Sequence, residues 1–355
     1  MRFPLALGLT LVIAAPASAQ SSITYRGRVA AESTSTQANA GSPLVRASTN
    51  TWRTQQLFVA SADGAWTPGD RFRIGAAVSG VASEHGDFDG RVRELYARAS
   101  VTSWMDVEGG KRIVRWGVGY GFSPAGVLDP PRVATDPSDR LQLNDGRLLA
   151  RADLFHGDSS LTMAAGEKVA AARLSTIAPG GVEIALIGAV GPNRSPQYAA
   201  TITHVIGQQL EWHAEALVHD DATARVVSGT AGFQYTFAAG LNLIVEYHRN
   251  ARGLNDDEWN DVLSGRRSAG ARPGRENFLF LRAARAGADS RIAPELIVIA
   301  GLDDNSWTLV PSVTWTPHRH VQAHVRVTRL AGPKRSVGGA APFSTSMTAG
   351  ASVRF

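Results

Sequence analysis

Apolar and polar residues alternate along most of the chain. Leu241, Leu243, Val245 and Tyr247 interleave with Asn242, Ile244, Glu246 and His248. Val227, Gly229, Ala231, Phe233, Tyr235 and Phe237 do the same with Ser228, Thr230, Gly232, Gln234 and Thr236. Shorter stripes are Phe72 to Val78, Leu210 to Ala216, Trp307 to Trp315 and Val321 to Val327, with Arg71, Arg73, Glu211, His213, Glu215, Gln322, His324 and Arg326 among the residues opposite them. Period two is the signature of a strand with one apolar and one wet face. A soluble sandwich would alternate as well. Here most segments run to about ten residues, enough to cross a bilayer at a tilt, whereas a soluble strand averages about five or six.

Counting segments between turn clusters predicts about eighteen strands, with sixteen as the lower bound, from Ser22–Glu32 to Ser344–Phe355. The fold class that follows is all-β: a closed antiparallel transmembrane barrel, with long extracellular loops and short periplasmic turns. With the N-terminus on the inner side, the gaps at 33–50, 83–90, 116–146, 250–275 and 331–343 all fall on the outer face. Short turns at Trp104, 156–159, 178–181, 207–209 and 238–240 fall on the other, and only 62–70 is long for that side. Each of the eight tryptophans lies near a strand end or in a loop: Trp66, Trp104, Trp212 and Trp315 on the inner side, Trp52, Trp116, Trp259 and Trp307 on the outer. That placement predicts two interfacial girdles. Pro294 and Pro311 each remove a ladder hydrogen bond, which predicts a bulge or strand end there. Thr51–Ser61 and Glu276–Arg285 do not alternate cleanly, so their registers stay unassigned.

The two ends carry addressing signals. Met1-Arg2, an apolar run from Leu5 to Ala15, and Ala17-Ser18-Ala19 before Gln20 have the order of a cleaved secretory signal, which places a signal peptide at 1–19 and one barrel domain at 20–355. No later stretch approaches the roughly 18 apolar residues of a spanning helix, in keeping with a mean hydropathy of -0.09. The chain closes on Met347-Thr348-Ala349-Gly350-Ala351-Ser352-Val353-Arg354-Phe355. This ending resembles the C-terminal signature of Gram-negative outer-membrane barrel proteins. The resemblance makes Phe355 and Val353 part of a signal read by the barrel-assembly machinery, and makes outer-membrane lipid and lipopolysaccharide the surroundings of the finished protein.

Composition then narrows the picture. The chain has no cysteine although its signal directs it to an oxidising compartment, so a closed hydrogen-bond ladder must do what disulfides do in small exported domains. The formal charge is +5, with 36 basic residues spread evenly and forming no run. They read as lumen and rim charges, and no nucleic-acid partner is expected. No separate region of about 150 residues is left over for a plug domain of the TonB-dependent kind.

Candidate chemistry concentrates in the longest loop, which runs from Trp116-Gly117-Val118-Gly119-Tyr120-Gly121-Phe122 through Asp129-Pro130-Pro131-Arg132 to Asp136-Pro137-Ser138-Asp139-Arg140. Its position resembles that of the general-porin loop that folds into the lumen. On that resemblance Asp129, Asp136 and Asp139 face Arg26, Arg28, Arg71, Arg73, Arg326 and Arg354 across a pore constriction and set a transverse field. The alternative is an outward loop stiffened by proline and glycine, its aspartates capping turns. Excess inward arginine also resembles the alginate-export type of eighteen-stranded channel, whereas Glu94, Glu211, Glu215 and Glu246 should point inward too, which leaves only a lean towards anions. The acidic pairs Asp220-Asp221, Asp256-Asp257 and Asp303-Asp304 read as solvated loop tips, and His204 as a girdle histidine near the inner rim. No G-x-x-x-x-G-K-[ST], H-E-x-x-H or G-x-S-x-G motif occurs, so no cofactor, metal or enzymatic activity is expected. The function expected is a channel for small solutes. A non-conducting barrel serving as surface anchor or partner scaffold is the alternative, and a barrel hydrolase the third. Oligomeric state is left open.

Overall fold

The computed structural model describes residues 21–44, 51–192, 194–220, 224–268, 274–285 and 291–355, so the expected signal peptide and Asp221 lie outside the described residues. Strands β1 (Ser21–Ala38), β2 (Trp52–Pro68), β3 (Phe72–Ser83), β4 (Phe88–Thr102) and β5 (Met105–Arg112) lead to the long loop. After it come β6 (Arg147–His156), β7 (Ser159–Gly166), β8 (Val169–Ala178), β9 (Val182–Gly191), β10 (Arg194–Ile206), β11 (Leu210–Asp220), β12 (Arg225–Thr236) and β13 (Leu241–Arg249). Helix α1 (Asp256–Leu263) precedes β14 (Asn277–Arg285), β15 (Ile292–Gly301), β16 (Ser306–His318) and β17 (Val321–Ala331). A short helix, α2 (Val337–Ala340), comes before β18 (Phe343–Arg354). Each strand pairs antiparallel with its sequence neighbours, and β1 also pairs with β18, so eighteen strands close into a barrel without a free edge. Strand interiors thereby satisfy most of their backbone groups within the sheet.

Burial alternates as the sequence pattern predicts. In β13, Asn242, Ile244, Glu246 and His248 are buried inside the barrel while Leu241 and Tyr247 are exposed outside. The outward face carries exposed apolar side chains in strand after strand, among them Leu186 at 58 % and Val325 at 57 %. A surface of that kind needs an apolar surrounding. The two ends of the barrel differ. One holds tight connections such as 69–71, 103–104, 157–158 and 319–320; the other holds 39–51, 113–146, 250–276 and 332–342.

Several expectations are corrected. The stretch 62–70 is no long connection: β2 runs to Pro68 and a turn at Gly69, with φ of 73°, reverses the chain. β1 extends to Ala38 and not Glu32, because β1 and β2 continue past the apolar band with polar residues on both faces, which hid their register. β14 lacks alternation because Phe278 and Phe280 point inward to meet the loop. Pro311 sits in mid-strand with no bulge; β16–β17 pairing lapses at Val310 and Pro311 and resumes in the same register, and the bulge falls between Trp315 and His318. Pro294, by contrast, does lie at a strand end as expected, near the start of β15 where pairing with β14 has ended. Trp116 and Trp259 do not belong to a girdle. They are 6 % and 8 % exposed, in the cores of the two longest loops.

The barrel seam depends on a glycine. Phe355 donates its N–H to the Gly27 carbonyl at 3.0 Å and accepts the Gly27 N–H at 2.8 Å. Its ring lies where a β-carbon on residue 27 would stand. Gly27→Val must displace that exposed ring, at a rotamer cost of about 0.5–1.5 kcal/mol. The expected result is a folded band that converts to the unfolded form at lower temperature in gel-shift melting, and an unchanged transition would count against the seam.

Candidate functional site

The loop between β5 and β6, residues 113–146, folds into the barrel. Three apolar seats hold it there. Val114, Trp116, Ala125, Val127 and Leu128 pack on inward residues of β6 to β11, including Leu149, Val169, Ile187 and Leu217. Tyr120, Phe122 and Ala134 pack on Ile244, Phe280, Ile297 and Val310, none of which is more than 1 % exposed. Leu141 and Leu143 pack on Ala30, Val59 and Val81. Fully burying a side chain of Phe or Ile size is worth about 1.5–3 kcal/mol, so these seats outweigh any single surface ion pair.

Between the seats lie two carboxylates that the barrel wall buries. Glu215 on β11 accepts the N–H groups of Val118 at 2.6 Å, Gly119 at 3.2 Å and Ala125 at 3.2 Å. Glu246 on β13, wholly buried, accepts those of Tyr120 and of Gly121, the latter at 2.7 Å, and meets His213 Nε2 at 2.8 Å. The carbonyls of the same segment turn the other way: Arg132 donates to Gly117 and Tyr120 at 3.2 and 3.3 Å, and also to Gly119. Charge-assisted bonds from successive backbone amides resemble an anion nest, here built around fixed anions of the wall. Glycine is required for the close approach. A β-carbon at Gly121 would stand 2.6 Å from Phe280 Cδ2, and one at Gly119 would collide with the Phe122 carbonyl oxygen.

The predicted site residues divide into groups. Asp129 is buried within the loop, accepts the Trp116 N–H at 2.6 Å and sits 3.7 Å from Arg132. Burial pushes its carboxyl up from the ordinary carboxylate range, against the pull of the Trp116 N–H and Arg132. Asp136 lies 3.4 Å from Arg326 and 3.7 Å from Arg140, and Arg326 also donates to the Thr135 carbonyl at 2.7 Å. Asp139, at φ of 47°, caps its own turn by accepting the N–H groups of Leu143 and Asn144.

Asp139, Arg28, Arg326 and Arg354 line one cavity of 380 Å³ between loop residues 138–142 and β1, β14 to β18. Arg26 and Arg73 line a second, of 440 Å³, where Arg26 pairs with Asp63 at 2.9 Å and Arg112 with Glu94 at 2.8 Å. Arg71 is exposed beside the tight turn at 69–71, apart from both. Residues of the site that the sequence reading passed over are Arg140, Arg282, His324 and Glu32. Arg140 and His324 both contact Glu32, tying the loop to β1 and β17.

On the loop-bearing side of the barrel a third cavity, of 580 Å³, is lined by Phe122, Arg132, His219, His248 and Val337. The Phe122 ring stacks on His248 at 4.3 Å. Above it α1 and α2 pack through Trp259, Val262, Leu254 and Ala340, and Trp259 Nε1 donates to the Arg335 carbonyl at 2.6 Å. Of the other acidic pairs, Asp220 pairs with Arg225 at 3.1 Å and Asp256 with Arg275, while Asp303–Asp304 caps loops. Asp303 accepts the N–H groups of Glu276 and Asn277, and Asp304 those of Ser306 and Val337.

No family model matches the chain, and no curated protein sequence is similar to it. Solved structures do share its fold. Pseudomonas aeruginosa OccK3 (OpdO) is 11% identical, with a TM-score of 0.59 over 95% of this chain and 96% of that one. OccK5 (OpdH) of the same organism is 9% identical, with a TM-score of 0.60 over 93% and 98%. A mutant Rh. blastica porin is 9% identical, with a TM-score of 0.52 over 94% and 100%. At such identities the likeness is one of architecture: a closed barrel of porin shape.

Proposed function

We propose that this chain is an outer-membrane channel for small polar solutes with a lean towards anions, exported by its first 19 residues and embedded in lipid through its apolar outer face. The observation that carries the reading is the inward loop, which narrows an eighteen-stranded lumen and leaves cavities walled by arginine. Its ion pairs with the wall, Asp136–Arg326 and Arg140–Glu32, set charges of both signs at the narrowing, which serves as the constriction. Lipid and lipopolysaccharide around the barrel, and the assembly machinery at its C-terminal strand, are the partners this reading implies.

The test is conductance of the purified protein in planar bilayers under a salt gradient. The expected reversal potential has the sign of an anion-preferring pore, and Arg326→Glu with Arg354→Glu should move it towards cation preference. Absence of any channel would leave the second reading, a non-conducting scaffold. That reading has its own support: the loop is seated on the wall in three places around the circumference, and α1 packs against α2 outside.

A further inference from the structure

Resting on the channel reading, we infer that the 380 Å³ cavity is a binding site for a divalent oxyanion, with phosphate or sulfate as its simplest occupants. Six arginines line it: Arg28, Arg140, Arg282, Arg285, Arg326 and Arg354. The carboxylates that answer them number four. Asp139 and Glu295 share the lining, Glu295 lying on Arg282, while Glu32 and Asp136 pair with Arg140 and Arg326. Among these arginines and carboxylates, six cations less four anions leaves a charge of +2, and a dianion balances it. A single carboxylate or chloride leaves a positive charge behind in a partly enclosed space, where uncompensated charge is costly.

The donors also suit a tetrahedral anion. Arg28 comes from β1, Arg140 from the loop, Arg354 from β18, and the Ser312 and Thr314 hydroxyls from β16. The Arg285 side chain makes no hydrogen bond or ion pair among the described residues, and neither hydroxyl makes a hydrogen bond there. Donors arriving from the β1–β18 seam, from β16 and from the loop exceed what the two oxygens of one planar carboxylate can accept, whereas phosphate and sulfate present four oxygens in four directions. The site also has an onward path. Arg28 is two residues from Arg26, which lines the second cavity, and there Arg73 makes no side-chain bond among the described residues.

The full-length protein is reconstituted in planar bilayers, and chloride current is recorded while inorganic phosphate, sulfate or acetate is added. Phosphate at alkaline pH and sulfate should reduce the current in the millimolar range, with acetate at equal concentration leaving it unchanged. Lowering the pH through the second phosphate ionisation should weaken the phosphate effect and spare that of sulfate. Arg354→Gln, and separately Ser312→Ala with Thr314→Val, should raise the half-blocking concentration roughly tenfold, equal to about 1.4 kcal/mol.

Equilibrium dialysis of radiolabelled phosphate against the detergent-solubilised protein tests the site without requiring current. Chloride current with neither block nor dialysis binding would overturn the inference and leave the channel standing, as would acetate blocking as well as sulfate. Phosphate binding without current would keep the site and sink the channel.

Discussion

Replacing residues 116–143 by a short glycine-serine linker should raise single-channel conductance about threefold or more, because an eighteen-stranded barrel is wide and the loop fills much of its middle. The expected gain follows from where the loop sits. It packs on β6 to β11, on β13 to β16 and on β1 and β2, so ions must pass the space it leaves. Excision also strands Leu149, Val169, Ile187 and Leu217 facing water, and the yield of folded barrel should fall. Gly119→Val provides a second route, since its side chain collides with the Phe122 carbonyl and must push the segment away from Glu215. If the excised barrel folds and conducts as the intact one does, the ion path does not run past the loop.

Glu246→Ala should be the most damaging single substitution in the lumen. It leaves the N–H groups of Tyr120 and Gly121 and the His213 ring without their buried acceptor. Each of the three stranded donors costs about 1–3 kcal/mol, so a total on the order of 3–9 kcal/mol is expected, part of it regained if the loop swings out to water. Glu246→Gln keeps one acceptor oxygen and should cost less. Urea unfolding in liposomes measures the first quantity, and tryptic cleavage after Arg132 or Arg140 in the still-folded barrel measures the second. Equal midpoints and equal protease resistance for the alanine variant would show that the loop is held by its apolar seats alone.

The barrel was legible in the sequence because lipid and water impose opposite demands on alternate residues, and that demand is local. About eighteen strands, inward Glu215 and Glu246, and long connections at one end all follow from it. The anchoring of the loop was not legible. Glu215 and Glu246 meet amides that lie 90 to 126 residues away in the chain, and a backbone N–H carries no residue identity to read. The one available mark was the alternation of glycine at 117, 119 and 121, which frees amides for close approach. Trp116 and Trp259 were misplaced for a related reason: a loop with its own core buries tryptophan as readily as an interface attracts it.

Where the loop seats on it, the inner wall from β6 to β11 is apolar on its inward face as well as its outward one, at Leu149, Val169, Ile187 and Leu217, beside inward polar residues such as Asp153, Thr201 and Glu215. Loop length and wall polarity are therefore one inherited trait and not two. A descendant that shortened residues 113–146 would expose a greasy arc to the lumen, and selection would restore serine, threonine or charge at positions such as 149, 169, 187 and 217. Among distant homologues, the polarity of those positions should track the length of a segment that most of their strands do not adjoin in the sequence.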